Sequence, residues 1–355
     1  MKILRPIAIL SSCLLLTASA VAQISLAPPA AQTPPAAGKP ASKSKAKPAA
    51  VAPAATPEPA ATPAPTATVT PAPAPDDPNV DLVYGAYQRG QYKTAFDLAT
   101  RRAQDNGDPK AMTMLGELYA NAMGIKRDYA KAADWYKRAA DGGDREAMFA
   151  LAMLRLSGRG GPVNREEAAK LLASSAKLGN PKAAYNLALL YLDGQTLPQD
   201  LKRAAELFRV AADAGNPEAQ YALATFYKEG TGVAKDIEKA VRLLQAASLA
   251  DNVDAEVEYA IALYNGTGTP KNEAAAVALL RKAAKQDSPI AQNRLARVLV
   301  TGQGAPMDKI EGLKWHIVAK TAGKGDPMLD EAFADLSPED RAKVEAAARK
   351  WLGTK

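Results

Sequence analysis

The sequence predicts an all-α protein built as a solenoid of stacked helix pairs, and two observations predict it. A short motif that can cap a helix returns every 36 residues, and each copy is followed by apolar residues at helical spacing. Chance does not preserve equal spacings over six copies, so the chain contains a tandem array. A single helix pair cannot bury its apolar faces by itself, whereas stacked neighbours can, which explains why the motif recurs.

Each repeat starts with a residue that can cap a helix. Asp, Asn and Ser side chains accept hydrogen bonds from the free N–H groups of a helix start, and the fixed φ of proline suits the first turn. Proline follows four of the six starts. We number the 36 places of each repeat from these starting residues, which are Asp108, Asp144, Asn180, Asn216, Asn252 and Ser288. The predicted array covers residues 108–323.

Glycines divide every repeat into two helices. Glycine adopts the left-handed backbone that ends a helix at little cost. A glycine pair follows the first helix in most repeats, as at Gly158 and Gly160. A second helix follows, such as the one from Asp200, which closes near Gly215. The sequence therefore predicts two antiparallel helices per repeat.

Apolar residues recur at fixed places of both helices. At about 100° per residue, places 4, 8, 11 and 12 of the first helix fall in one sector, and places 25, 28, 29 and 32 do so in the second. Small residues at some of these places let helices approach closely, and larger ones fill the remaining space. The third repeat supplies the predicted core residues Ala183, Leu187, Leu190, Tyr191, Ala204, Leu207, Phe208 and Ala211.

Residues 1–22 have the layout of a secretory signal peptide. Two cations precede a short apolar run, and Ala20-Val21-Ala22 forms a small-residue cleavage pattern. The run is too short for a comfortable membrane span. We therefore expect cleavage, no membrane span in the mature chain, and a periplasmic or secreted location; an uncleaved anchor is the alternative. Cys13 lies in a loose lipobox, but the apolar part before it is short and LLLTASAVA after it is a poor start for a lipoprotein, which argues against lipidation.

Residues 23–79 are predicted to be a disordered Pro/Ala-rich linker. Fifteen of the 26 prolines lie within 27–78, which contains no aromatic residue. Such a segment has too little apolar surface to offset the entropy of ordering it. Its four lysines between Lys39 and Lys47 suggest contact with anionic wall polymers as an alternative to a simple solvated linker.

With these residues in place, the array resembles the Sel1-like repeat family, a relative of the tetratricopeptide repeats. The resemblance implies a right-handed α/α superhelical solenoid of helix-pair repeats in an exported bacterial member. A degenerate unit at 80–107 and capping helices at 324–355 flank the six repeats. The matching positions in the first repeat are Ala111, Leu115, Gly116, Asp128, Ala132, Trp135, Tyr136, Ala139, Ala140 and Gly143.

Three residues depart from the repeat pattern. Ala122 stands where other repeats have the first loop glycine, and Thr196 where they have the second. Gly312 occupies a place at which the second helix otherwise has alanine. We expect these departures to bend the stack locally and to leave its architecture unchanged.

The sequence offers little for catalysis, and we expect no enzymatic activity, cofactor or metal site. His316 is the only histidine, and its neighbours in the pattern indicate a packing role. Cleavage after Ala22 would remove the only cysteine, so the mature chain would have no thiolate for a metal site. Some cysteine-rich members of the family have been proposed to bind or cleave β-lactams, and this chain lacks their disulfide-forming cysteines.

A second apolar stripe runs along the first helices, roughly opposite the core. In the related tetratricopeptide repeats, the resemblance implies that these places line a concave groove where peptides bind. The alternative is that this side packs against the first helix of the next repeat. The stripe comprises places 6, 10 and 13 of repeats two to five: Phe149, Met153, Leu156, Tyr185, Leu189, Leu192, Tyr221, Thr225, Lys228, Val257, Ile261 and Tyr264.

These observations predict an exported scaffold or adaptor for a protein partner, or a regulator of envelope processes. After residues 1–79 are set aside, 39 basic and 35 acidic residues remain, and they are mixed throughout the chain. A nucleic-acid partner is therefore not expected, since such proteins concentrate cations on one face. The alternative function is peptidoglycan binding or a β-lactam-related role at the cell wall.

Overall fold

The computed structural model describes residues 81–353, and this part of the chain contains helices and no strand. The signal-peptide, Cys13 and linker predictions lie outside the described residues. Sixteen helices follow one another within 81–353. They are α1 Leu82–Gln88, α2 Tyr92–Asn106, α3 Pro109–Asn121, α4 Tyr129–Asp141, α5 Arg145–Ser157, α6 Arg165–Lys177, α7 Pro181–Asp193, α8 Leu201–Asp213, α9 Pro217–Glu229, α10 Ile237–Leu249, α11 Val253–Asn265, α12 Glu273–Lys285, α13 Pro289–Thr301, α14 Lys309–Thr321, α15 Pro327–Ala334 and α16 Pro338–Gly353.

Helices α3 to α14 form the six repeats as six consecutive pairs. Each of these helices has 13 residues, as in α7 and α8. The two helices of a pair pack on each other, and the second helix packs on the first helix of the next pair. Because every element contacts its neighbours in sequence, the repeats form an all-α solenoid, as the sequence predicts.

Side-chain caps set the start of both helices in every repeat. At place 1, Asn216 accepts a hydrogen bond from the Ala219 N–H at 2.7 Å. At place 21, Asp200 accepts one from the Arg203 N–H at 2.8 Å. Each cap satisfies a backbone donor that the helix leaves free, which typically stabilises the helix by about 1 kcal/mol.

Small residues occupy the closest helix contacts. Places 4 and 32 hold alanine in every repeat except for Ser175, and none of these twelve residues is more than 2% exposed. At place 25, Gly312 replaces alanine because a Cβ there would lie 3.0 Å from the Ala296 carbonyl oxygen. The departure therefore reflects a closer approach of α13 and α14.

The last two helices cover the end of the array. Leu329 of α15 and Val344 of α16 are fully buried, and Ala348 is 1% exposed. The Trp351 ring of α16 meets the Trp315 ring of α14 edge-on, with 4.9 Å between centroids. This packing removes from water the apolar face of α14 that a further repeat would otherwise cover.

The two loop departures are resolved in different ways. Ala122 adopts a left-handed backbone with φ of 58°, like the glycines at the same place. Thr196 avoids positive φ, and its loop instead closes through a 2.7 Å hydrogen bond from the Gln195 N–H to Asp193. The third repeat thus has a different turn, whereas the first keeps the common turn with an unfavourable residue.

The backbone of Ala122 yields a stability prediction. An alanine in the left-handed region costs about 1 kcal/mol or more, and glycine relieves most of this strain. We expect Ala122→Gly to raise the free energy of unfolding by about 1 kcal/mol. Urea denaturation followed by far-UV circular dichroism measures it. The matched control Ala150→Gly, inside α5, should lower stability by about 1 kcal/mol, and a loss in both variants would contradict the strain at Ala122.

Candidate partner-binding surface

The stripe predicted from the sequence lies along α5, α7, α9 and α11, and we call its residues the first-helix strip. Its members are Phe149, Met153, Leu156, Tyr185, Leu189, Leu192, Tyr221, Thr225, Lys228, Val257, Ile261 and Tyr264. Eleven of them are half-buried. Val257 is 4% exposed and belongs to the core of the last repeats, so its side chain contributes packing and no accessible surface.

Place 13 lies at the seam between successive repeats. The Lys228 ammonium at place 13 is 3.1 Å from the Glu258 carboxylate of the next first helix. The Tyr264 hydroxyl, also at place 13, donates to the Gln303 carbonyl of the next repeat at 3.3 Å. One side of the strip therefore packs against the next repeat. The other side of its half-buried side chains remains accessible to solvent.

In repeats two and three the strip is apolar and anchored in the core. Phe149, Tyr185 and Leu189 pack against one buried cluster that includes Phe208. The ring of Tyr185 is 5.7 Å from that of Phe208, measured between centroids. Residues held in this way lose little conformational entropy when a partner covers them, which favours binding.

Burial changes the acid–base behaviour of two tyrosines of the strip. Burial, followed by the nearby Glu218 carboxylate, raises the pKa of Tyr185 to about 12. Burial, followed by Glu258 and Asp254, also raises the pKa of Tyr221. Both phenols stay protonated at neutral pH, so they can donate a hydrogen bond to a partner.

The sequence reasoning missed a second row of residues beside the strip, at place 7. All six are half-buried: Met114, Ala150, Asn186, Ala222, Glu258 and Arg294. On a helical wheel, place 7 lies about 60° from place 10, so a wider sector around place 10 includes it. Because its last members, Glu258 and Arg294, are charged, the row does not continue the apolar pattern that defines the strip. Its chemistry changes from apolar or neutral in the first four repeats to charged in the last two.

The described residues give no sign of a metal centre. Between residues 81 and 353, no group of three or more His, Cys, Asp or Glu side chains is placed to hold a metal ion. In the same range, no helix combines the length and apolar character needed to cross a membrane.

His316 belongs to the packing between α14 and the end of the chain. Its side chain is buried, and its Nε2 lies 2.9 Å from the Asp330 carboxylate of α15. Lys320 contacts the same carboxylate at 2.6 Å. The histidine occupies place 29, where other repeats have Tyr136, Leu172, Phe208, Leu244 and Leu280. Its position is that of a core residue with one polar contact.

Comparison with known proteins identifies the repeat. The family model for the Sel1 repeat matches residues 109–144, 145–180, 181–216, 217–252, 253–288 and 289–324. A Sel1 repeat protein from Oxalobacter formigenes has a similar structure, with 25% identity, a TM-score of 0.60, and coverage of 68% of this chain and 98% of the other. A protective antigen of uropathogenic Escherichia coli strains with an SLR fold has 23% identity, a TM-score of 0.54, and coverage of 76% and 67%. None of the curated protein sequences is a significant match.

The raised pKa of Tyr185 predicts a late step in alkaline titration. A raised folded-state pKa makes stability fall as pH rises above about 10, because the unfolded chain loses that proton first. In Tyr185→Phe, the phenolate absorbance lost relative to the parent protein should come from the part of the titration near pH 12. Loss of amplitude near pH 10 instead would show that this side chain is fully solvated. The free energy of unfolding should also fall less steeply between pH 10 and 12 in the variant.

The packing role of His316 predicts a specific pattern of stability. His316→Leu should change the free energy of unfolding by less than about 1.5 kcal/mol, because leucine fills the same place in three other repeats and removes a buried Nδ1 that lacks a partner. His316→Ala should cost about 2–4 kcal/mol through the cavity it leaves. Chemical denaturation distinguishes the two, and equal losses would contradict a space-filling role.

Proposed function

Because the chain belongs to the Sel1 repeat family, we propose that it is an exported interaction scaffold that binds a protein partner along the concave side of its solenoid. Sel1 and tetratricopeptide-like repeats generally mediate protein–protein interaction. The observation that carries the proposal is the first-helix strip, which is half-buried in four consecutive repeats and apolar in repeats two and three. Apolar surface that stays partly accessible over several repeats is typical of an interaction site.

The proposal includes a role as an adaptor or regulator of envelope processes in a periplasmic or secreted location. Its support is the pattern of residues 1–22, in which cations, a short apolar run and an Ala-x-Ala site follow one another. Proteins built from Sel1 repeats as scaffolds are typically not enzymes, and the proposal assigns this chain no catalytic activity.

The strip favours a protein partner over the alternative of peptidoglycan. Its members in repeats two and three are Phe149, Met153, Leu156, Tyr185, Leu189 and Leu192, and only the tyrosine carries a polar group. A glycan strand presents many hydroxyl groups, and burying them against such side chains would leave them without hydrogen bonds. Apolar side chains of a protein segment carry no such cost.

Crosslinking in living cells tests the proposal. A photoreactive residue at Leu189, on the strip, should give a discrete crosslinked protein, whereas the same residue at Leu249, which is 81% exposed on α10, should not. Tyr185→Ala should reduce the product at least about tenfold, as expected for an interface anchor worth about 2 kcal/mol or more. Met153→Lys, which places a charge on the strip, should act in the same direction.

Two controls keep the result interpretable. Both variants must show the circular dichroism melting curve of a folded array, because Tyr185 also packs against the core. Sedimentation with purified peptidoglycan examines the alternative. A chain that co-sediments with the wall and crosslinks equally at both positions would refute the protein-scaffold proposal.

A further inference from the structure

One cation on the side of the first helices that carries the first-helix strip differs from its neighbours. Arg294, at place 7 of α13, is half-buried and forms no hydrogen bond or ion pair with another residue of the described range. The two nearby cations are both paired: Lys228 lies 3.1 Å from Glu258, and Arg297 bonds to the buried Asp326 carboxylate. Arg294 is therefore a half-buried cation of the described range whose hydrogen-bonding groups are still available.

The surroundings of Arg294 disfavour an unpaired charge. Burial and then the neighbouring Arg297 lower the pKa of Arg294, and the Glu258 carboxylate opposes this only in part. That carboxylate is already engaged by Lys228. A guanidinium that has given up part of its water without gaining a carboxylate is energetically unfavourable, and a ligand that supplies one removes the penalty.

The repeat pattern shows which group is missing. Between repeats four and five, places 13 and 7 hold Lys228 and Glu258, which form an ion pair. Between repeats five and six, the same places hold Tyr264 and Arg294. The Tyr264 hydroxyl is directed to the Gln303 carbonyl instead. Neither place holds an acidic side chain, and the nearby Glu258 carboxylate is already paired with Lys228. A second carboxylate for Arg294 would therefore come from outside the described residues.

We propose that Arg294 receives a carboxylate of the partner, an Asp or Glu side chain or the carboxyl terminus of a peptide segment lying along the first helices. The planar guanidinium matches a carboxylate with two parallel hydrogen bonds, and such bonds are stronger than neutral ones. This inference rests on the proposed function and specifies the chemistry of the partner.

The spacing of the repeats adds a length requirement. The apolar anchors Tyr185 and Leu189 lie on α7, three repeats before Arg294 on α13. Packed helices lie on the order of 10 Å apart, so the two regions are roughly 30 Å apart. An extended segment advances about 3.3 Å per residue. The partner segment should therefore have apolar residues about nine positions away from its carboxylate.

A random peptide library tests this chemistry without knowledge of the natural partner. Peptides of about 16 residues displayed on phage are selected on the full-length chain, and the best binder is synthesised with a fluorescent label. A second peptide replaces its acidic residue by the matching amide, or amidates its carboxyl terminus. Fluorescence anisotropy then measures both peptides against the parent chain, Arg294→Gln and the control Arg242→Gln, which removes an exposed arginine of α10.

The expected result is a coupling between the peptide carboxylate and Arg294. Neutralising the carboxylate should weaken binding to the parent chain and to Arg242→Gln at least about tenfold, and should have little effect on Arg294→Gln. Arg294→Lys should recover only part of the affinity, because the ammonium lacks the fork of the guanidinium. Binding to the parent chain should also weaken as salt is raised.

Two other results lead to different conclusions. The role of Arg294 is overturned, and the scaffold proposal stands, if the selected peptides carry no essential carboxylate. The same holds if neutralising the peptide carboxylate weakens binding equally to the parent chain and to Arg294→Gln. If no peptide is selected, or if selected peptides bind equally well to Tyr185→Ala, then both the peptide-binding surface and the role of Arg294 are overturned.

Discussion

The architecture depends on the small residues where helices touch most closely. At places 4 and 32, alanine or serine is fully or almost fully buried in all six repeats, so the backbones of adjacent helices approach without a gap. Larger side chains such as Leu115 and Phe208 fill the space beside these contacts. Because the interior is close-packed, a methylene added at such a place would push whole helices apart. The stacking of successive repeats depends on these close contacts.

Equal helix lengths and tight loops then fix how one repeat sits on the next. A Cβ on Gly160 would lie 2.2 Å from the Tyr129 carbonyl oxygen, so the loop of the second repeat rests directly on the start of α4. Gly232 makes the same kind of approach to Leu201, at 2.3 Å. Since backbone contacts and buried small residues set the arrangement, side chains on the outer part of the first helices are free to vary. Under the proposed function, this freedom would let the same arrangement of helices bind different partners.

The period, the caps and most of the core places could be predicted from the sequence because they depend on local chemistry, although Tyr191, which was expected in the core, is half-buried beside it. Asn216 caps a helix and Phe208 lies in the core wherever the fold places that pair. The accessible part of the first-helix strip could not be predicted in the same way. A helical wheel gives the direction of a side chain from its own axis, but not how far the next repeat covers it. For this reason Val257 is buried while Tyr185, at the same place, is half-buried.

The burial of charged residues could not be predicted from the sequence either. Glu256 would be assigned to the surface from its type alone, yet it is fully buried, 2.5 Å from the Lys282 ammonium. The sequence alone does not single out Arg294, because an arginine on a helix is usually solvated. Its significance appears only when the seam between repeats shows which cations are already paired. Tertiary contacts therefore decide which charges are structural and which are available.

The change of chemistry along the first helices has a consequence for any extended segment that lies on them. A uniform apolar strip would offer nearly the same contacts after a shift by one repeat, and register is weakly specified where a pattern is uniform. Here the apolar residues of repeats two and three give way to Lys228, Glu258 and Arg294 in repeats four to six. A shift of the bound segment by one repeat would move its acidic group away from Arg294 and place an apolar group on a charged residue. Such unpaired charges and misplaced apolar contacts discriminate against wrong registers. Affinity would then come mainly from the apolar repeats and register from the charged ones, so that neither half of the surface would be sufficient alone.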